Sequence, residues 1–454
     1  MLKLVLGGSG SGKTTLLYAQ IKARAKAGRR SILLVPEQFT SATEARIYRE
    51  LGDALSGRVE SFSFTSLAEK ILSTEGGAAV QTLTDAGRAV LVRRALEELQ
   101  DRVHYYYRHR RSAAFCQMAS ETIDELKSAG LSGGQLAALA QNCGAESGKL
   151  AELALIFQGY ETLLARTGMD PADRLELAAI RLEDALARGA LPPFLQEREV
   201  FIDEFDTFNA PKKRLMGALL ASLPTVTVAL CDDGAPLIPG DMSLFSGAKQ
   251  VAARLRQLAR RSGTEVAVPE LLRRDVRHAD APGLAAAARL LASGQCDPPP
   301  ACPEIKLFAA PSREEEARAA AAAIRRLMRQ GVRCGRVAVV CRDIAKYRAA
   351  VRYEFRMADI PLYCDEPTTP EFSAPATAVR CLLAIARGAE LTEQLTTLAK
   401  TGLCALTEEE VCALENYAYT WSPGAAAWRA PFEKNPRGFG DADPTAEDAE
   451  NLAR

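Results

Sequence analysis

The sequence Gly-Gly-Ser-Gly-Ser-Gly-Lys-Thr at positions 7–14 constrains the fold of this chain more than any other feature. It matches the pattern G-x-x-x-x-G-K-[ST] and stands between an apolar run, Leu2 to Leu6, and a helical stretch that begins at Thr14. Between a strand and a helix, such a loop curls its backbone N–H groups around a phosphate, and the helix N-terminus adds partial positive charge. The pattern therefore predicts an α/β fold with a nucleotide-binding P-loop.

The predicted nucleotide site comprises Gly7, Gly8, Ser9, Gly10, Ser11, Gly12, Lys13, Thr14 and Thr15. We expect Lys13 to reach the β- and γ-phosphates of ATP and Thr14 to bind Mg²⁺. The alternative is a glycine-rich turn without a ligand. The complete motif in this local context favours nucleotide binding.

Length and composition limit the remaining possibilities. A chain of 454 residues is too long for one core, so several domains are expected. Basic and acidic residues balance at 57 each, so any surface for nucleic acid must be local. The sequence shows no secretory signal, no apolar run of membrane-spanning length, and 11 scattered cysteines. These features predict a cytoplasmic protein with reduced thiols.

Short β-rich runs alternate with longer helical stretches, which predicts parallel sheets covered by helices. The runs are Lys3–Leu6, Ser31–Val35, Val59–Phe64, Glu199–Ile202, Thr225–Leu230, Ile305–Ala309 and Val337–Cys341. Between Gln81 and Leu195 no convincing strand is found, and the apolar period is helical. A helical insertion within one sheet is the simplest account. The proline-rich stretch Cys296–Pro303 predicts a linker, after which a second α/β domain begins.

Acidic residues at the end of a predicted strand limit the reactions that the P-loop could support. Val200-Phe-Ile-Asp203-Glu204-Phe-Asp206 has the form of a Walker B motif. Asp203 would hold Mg²⁺ through water, and Glu204 would orient or activate the attacking water. The alternative is a strand followed by a solvated acidic turn, but the P-loop elsewhere in the chain favours the catalytic interpretation.

Two basic features are further candidates. Arg342 follows the run Val337–Cys341, and an arginine from a second domain could stabilise charge on a γ-phosphate. The alternative is an ordinary surface arginine. Within the helical insertion, arginines and tyrosines interleave in a manner that suits single-stranded nucleic acid, where arginine contacts phosphates and tyrosine stacks on bases. The candidate contacts are Arg102, Tyr105, Tyr106, Arg108, Arg110 and Arg111. The alternative is a solvated helix face with tyrosines packed beneath it.

The order of these features resembles the UvrD-like helicase superfamily and, within it, the AddB (RexB-type) subunits of bacterial AddAB helicase–nucleases. Three further stretches support this resemblance. They are LLVPEQFT at 33–40, VESFSFTSLA from Val59, and IPLYCD at 360–365.

The resemblance implies two RecA-like P-loop parallel-sheet domains, with a helical insertion in the first and a truncated helical insertion in the second. Residues 1–80 and 196–297 would form the first RecA-like domain, with residues 81–195 inserted between them. Residues 298–378 would form the second RecA-like domain, and residues 379–454 would begin its truncated insertion.

The resemblance also implies a function. The chain would be an ATP- and Mg²⁺-binding subunit in double-strand-break repair, acting on duplex ends and single-stranded DNA beside an AddA-type partner. End resection for homologous recombination and the reading of recombination hotspots belong to this expectation. The nuclease region with its 4Fe–4S cluster would occur only in full-length family members.

Two other functions stay open from the residues alone. A P-loop kinase or other small-molecule phosphotransferase would use the same loop, although such enzymes usually finish within one domain. A scaffold that binds ATP without hydrolysing it, only to hold two domains together, is the other alternative.

Overall fold

The computed structural model describes residues 1–79, 81–144, 147–294, 302–364, 370–435, 438–439, 445–446 and 450. The chain divides into two compact units, Met1–Lys306 and Leu307–Arg454. The predicted linker, Cys296–Pro303, lies mostly outside the described residues.

A parallel sheet forms the centre of the first unit. In the part of the chain that the structure describes, six strands join in the order β3-β2-β4-β5-β1-β6. The strands are β1 (Leu2–Gly7), β2 (Ser31–Leu34), β3 (Val59–Phe62), β4 (Glu199–Ile202), β5 (Thr225–Cys231) and β6 (Glu270–Leu272). Every neighbouring pair is parallel, so all carboxyl ends lie at one edge. The predicted α/β class is confirmed, and the sheet is consistent with a RecA-like fold.

Helices accompany the sheet throughout the first unit. They are α1 (Lys13–Lys26), α2 (Thr40–Leu51), α3 (Asp53–Ser56), α4 (Phe64–Glu75), α5 (Asp85–Glu98), α6 (Ala113–Ala129), α7 (Gly133–Ala140), α8 (Ser147–Thr167), α9 (Pro171–Ala187), α10 (Ala210–Ser222), α11 (Ser246–Arg261) and α12 (Pro282–Ser293). The local sequence fixes where several of these helices begin. Ser63, for example, caps α4 by accepting a hydrogen bond from the Ser66 N–H, while its own N–H donates to the Ser66 hydroxyl.

Both faces of the sheet are buried, which explains why its strands read as continuous apolar runs. Because side chains alternate along a strand, Leu4 and Leu6 of β1 pack in one core with residues of α4, α9, α10 and α11. Val5 faces the opposite side and packs with Leu17 of α1 and Ile47 of α2.

The segment between β3 and β4 is helical, as its period predicts. Helices α5, α6, α7 and α8 contribute to a separate core around Leu96, Phe157 and Tyr160. Helix α9 instead packs on the sheet core through Leu175 and Leu182. The only pairing of strand type that the described residues show here is an isolated bridge between Thr82 and Met169.

All the regular secondary structure described in the second unit is helical. Its helices are α13 (Arg313–Arg329), α14 (Ile344–Met357), α15 (Ala374–Ala386), α16 (Leu391–Ala399) and α17 (Glu408–Trp421). Ser312 caps α13 by accepting a hydrogen bond from the Glu315 N–H at 3.3 Å. Helices α13 and α14 enclose a small core that contains Ile324 and Phe355.

Two predicted strands are wrong. Ile305–Ala309 and Val337–Cys341 pair with no strand among the described residues. Apolar alternation favours an extended backbone, but a strand also needs a hydrogen-bonded neighbour. Leu307 and Val340 are 100% and 90% exposed. A second sheet is therefore not observed in the described part of the chain, and the second RecA-like domain stays a prediction.

No helix among the described residues has the length and apolar character needed to cross a bilayer.

Candidate functional site

The P-loop connects β1 directly to α1. Gly12 caps α1 with φ 91°, and Gly10 has φ 80°, so both adopt the left-handed conformation that glycine tolerates best. A Cβ on Gly7 would lie 2.7 Å from the Leu272 carbonyl oxygen of β6. Side chains at these positions would therefore strain or displace the loop.

Hydrogen bonds fix the loop from two sides. The Lys13 ammonium donates to the carbonyl oxygens of Gly7 and Gly8, each at 2.8 Å. After β6, the backbone N–H groups of Val276 and Arg277 donate to the Gly10 carbonyl at 3.0 and 3.1 Å. Lys13 is thus held over the loop, where a bound phosphate would compete for it.

The acidic motif lies at the carboxyl end of β4. Asp203 is only 5% exposed, and its N–H donates to the Leu34 carbonyl of β2 at 3.1 Å. Its carboxylate accepts a hydrogen bond from the Glu204 N–H at 3.0 Å, and it lines the same cavity as Thr14. Burial raises the pKa of Asp203, and the nearby Thr14 hydroxyl and the Lys13 charge oppose that rise.

Glu204 has an unusual backbone. Its φ of 64° lies in the left-handed region, which costs a residue with a side chain about 1–2 kcal/mol. Non-glycine residues kept in this region cluster at functional sites. The Glu204 side chain is exposed and lines the same cavity as Lys13 and Thr14.

A cavity of about 420 Å³ opens at this edge of the sheet. The predicted residues that line it are Ser9, Gly10, Gly12, Lys13, Thr14, Thr15, Asp203 and Glu204. Gly7 and Ser11, which belong to the same loop, are buried and do not line the cavity. A smaller cavity of about 160 Å³ shares Thr14, Asp203, Glu204 and Arg46 with it.

Sequence reasoning missed two arginines in the larger cavity, Arg46 of α2 and Arg277 after β6. Arg277 donates to the Ser9 hydroxyl at 3.3 Å. The three-residue strand β6 is too short for periodicity to reveal. Arg46 lies shortly after the VPEQ stretch at the end of β2, and that stretch was the available signal.

The donor set suits Mg²⁺ held mainly by phosphate oxygens and water. Thr14 and Asp203 supply one hydroxyl and one carboxylate to the same cavity. Among the described residues, no group of three or more His, Cys, Asp or Glu side chains could hold a metal by itself. The assignment of Mg²⁺ to Thr14 and Asp203 stays a prediction.

The basic stretch forms a loop between α5 and α6 with one short 3₁₀ turn, Tyr107–His109, so the expected helix is not observed. Tyr106 and Tyr107 nevertheless pack against the core of the helical segment, as the alternative of a solvated face with tyrosines beneath it predicts. The buried Glu152 carboxylate of α8 organises this loop. It accepts hydrogen bonds from the backbone N–H groups of His104, Tyr105 and Tyr106 at 2.9, 2.8 and 3.4 Å. A loop formed this way has no local sequence signal.

The candidate contacts in this loop differ in their environment. Tyr106 stacks on Phe115 with ring centroids 5.7 Å apart. The Arg110 guanidinium lies 3.9 Å from the centre of the Tyr107 ring. The remaining candidates, Arg102, Tyr105, Arg108 and Arg111, are exposed. None of the six candidates lines the cavity at the edge of the sheet.

Arg342 belongs to the second unit. It is exposed and directly precedes Asp343, which caps α14. Its role at the nucleotide stays a prediction.

Comparison with known proteins decides the family. A family model described as ADDB, N-terminal, matches residues 4–286. The chain belongs to this family. The resemblance seen in the sequence is thereby confirmed.

Curated relatives extend the similarity beyond the family match. The chain is 31% identical over 446 residues to the ATP-dependent helicase/deoxyribonuclease B subunit of Moorella thermoacetica, covering 94% of this chain and 38% of that relative. It is 30% identical over 444 residues to the protein of the same name from Desulforudis audaxviator, covering 95% of this chain and 37% of that relative. The chain thus spans less than two fifths of the length of these AddB-family relatives.

Proposed function

We propose that this chain is the nucleotide-binding, helicase-like part of a helicase–nuclease subunit in DNA double-strand-break repair. One observation carries the proposal, namely that Thr14 of the P-loop and Asp203 at the end of β4 line the same cavity. These are the two residue types that position Mg²⁺ in P-loop NTPases. The family membership and the printed names of the relatives support the repair context.

The chain's own residues suggest how ATP would be bound and hydrolysed. Lys13 would exchange its carbonyl partners for phosphate oxygens, which is favourable because a charged pair replaces neutral acceptors. Thr14 and Asp203 would hold Mg²⁺, which neutralises phosphate charge when bound. Glu204 would orient the attacking water. Arg342 of the second unit is proposed to act on the terminal phosphate.

The partners follow from the same proposal. Single-stranded DNA would contact the loop that holds Arg102, Tyr105, Tyr106, Arg108, Arg110 and Arg111, and duplex ends would enter with it. An AddA-type subunit would complete the complex. End resection and hotspot reading would be tasks of that assembly. The described cysteines are free thiols, which suits the cytoplasm as its compartment.

The decisive test measures ATP turnover by the purified chain with and without single-stranded DNA. We expect turnover to rise with DNA, because nucleotide and DNA sites are coupled in such proteins. The variant Glu204→Gln should bind ATP with unchanged affinity but lose turnover. If ATP turnover is the same with and without DNA and the phosphate is transferred to a small molecule, the kinase alternative is favoured. Binding without any turnover would favour the scaffold alternative.

A further inference from the structure

Arg46 stands at a boundary between the buried and exposed faces of α2. Thr43, Ile47 and Leu51 recur at four-residue spacing and form the buried face of this helix. Arg46, three residues after Thr43, flanks that face. Packing of α2 on the sheet therefore sets where this side chain lies.

The guanidinium is held by an aromatic ring rather than by an acid. Its central carbon lies 4.7 Å from the ring centroid of Tyr18, a cation–π contact. Tyr18 follows Thr14 by one turn of α1 and is only 6% exposed, so its ring is a fixed platform. Burial raises the pKa of Tyr18 to about 12, which keeps its ring neutral beneath the cation.

The donors of Arg46 are unused within the part of the chain that the structure describes, where it forms no hydrogen bond or ion pair. Nevertheless, it lines both cavities at the edge of the sheet. Thr14, Asp203 and Glu204 also line both cavities. A guanidinium with free donors, placed among Mg²⁺-binding and water-orienting side chains, suits a polyanion that brings its own negative charge.

We propose that Arg46 binds the terminal phosphate of the nucleoside triphosphate and stabilises the negative charge there. The first unit would then supply its own phosphate-contacting arginine beside Lys13. This inference rests on the proposed nucleotide site, and it goes further by making Arg46 the residue that distinguishes triphosphate from diphosphate. Tyr18 is the positioning residue that keeps the guanidinium in place.

The experiment compares ATPγS and ADP binding by calorimetry in the presence of Mg²⁺. Arg46→Ala should weaken ATPγS binding about tenfold or more and change ADP binding less than about twofold, because a charged hydrogen bond to the terminal phosphate is removed. The matched control is Arg49→Ala, an exposed arginine of the same helix that lines neither cavity. It should leave both affinities unchanged.

A second pair of variants tests the positioning role. Tyr18→Phe keeps the ring and should preserve the preference for ATPγS over ADP. Tyr18→Leu should reduce that preference towards the Arg46→Ala value, and thermal melting checks that it folds.

The two possible failures are distinguishable. If the unaltered chain binds neither nucleotide, the proposed site is wrong, and the role of Arg46 is overturned with it. If the unaltered chain binds both and Arg46→Ala keeps the original ratio of affinities, only the role of Arg46 is wrong. If Arg46→Ala weakens the binding of ATPγS and of ADP equally, the proposed role is also wrong, since Arg46 would then not act on the terminal phosphate in particular.

Discussion

Thr14, in the first turn of α1, and Asp203, at the end of β4, line the same cavities at the edge of the sheet. The two residues come from distant parts of the first unit's sequence, separated by the whole helical segment. The parallel sheet brings them together because β1 and β4 both end at the same edge, with β5 between them. This placement brings the glycine-rich loop and the acidic end of β4 together in one candidate site.

Lys13 should be needed for the nucleotide and dispensable for the fold. Its ammonium contacts loop carbonyls and is only half-buried, so Lys13→Ala removes no core packing. We expect ATP binding to disappear in calorimetry and the circular dichroism spectrum to stay unchanged. Lys26→Ala, at the exposed end of the same helix, is the control. Unaltered ATP affinity in Lys13→Ala would rule out the site.

Asp203→Asn should separate function from stability. Because burial raises the pKa of Asp203, the folded state binds its proton more tightly than the unfolded chain does. The contribution of this carboxyl group to stability is therefore fully present below the ordinary pKa of 3.8 and is lost as the pH rises through the raised pKa of the folded state. At higher pH the free energy of unfolding stays reduced. At pH 7 and without nucleotide, Asp203→Asn should melt at a higher temperature than the unaltered chain, and Mg²⁺ should no longer strengthen ATP binding.

The melting experiment on Asp203→Asn has a clear control. Asp206→Asn changes an exposed carboxylate in the same cavity and should not raise the melting temperature. The advantage of Asp203→Asn should shrink as pH falls towards 3.8. A lower melting temperature than that of the unaltered chain at pH 7 would mean that its ionised carboxylate stabilises the fold.

The exposed arginines of the α5–α6 loop should carry the affinity for single-stranded DNA. Replacing Arg102, Arg108 and Arg111 by Ala should weaken binding and flatten its salt dependence by about 0.7 for each phosphate that the protein no longer neutralises. Fluorescence anisotropy at several salt concentrations measures both. Arg93→Ala with Arg94→Ala is the matched control, since these exposed arginines of α5 pair with Glu97 and Glu98. An unchanged salt slope in the triple variant would show an ordinary solvated surface.

Glu152 should support this loop from beneath. Glu152→Ala leaves three backbone N–H groups without their acceptor, which should lower the free energy of unfolding by about 1–3 kcal/mol. Amide hydrogen exchange should accelerate at residues 104–106, while ATP affinity stays unchanged. Glu125→Ala, an exposed acid on α6, serves for comparison. Slow exchange at these amides in Glu152→Ala would contradict the organising role.

The sequence by itself determined the features that depend only on residues close together along the chain. Gly12 and Lys13 specify the phosphate loop because strand, turn and helix follow one another there. The buried face of α5, with Leu91, Val92, Ala95 and Leu96, follows its helical period. The acidic end of β4 could be identified as a motif, and the Mg²⁺ role expected of both Asp203 and Thr14 already joined it to the glycine-rich loop.

Only the tertiary structure decided the relations between distant segments. It brought Asp203 to Thr14, placed Arg46 over Tyr18, and set Glu152 under the loop before α6. It also left Val337–Cys341 without a neighbouring strand among the described residues. Periodicity records how a residue relates to its own helix or strand. Hydrogen bonds across a sheet edge, and the burial of a lone carboxylate, depend on elements that meet only once the chain has folded.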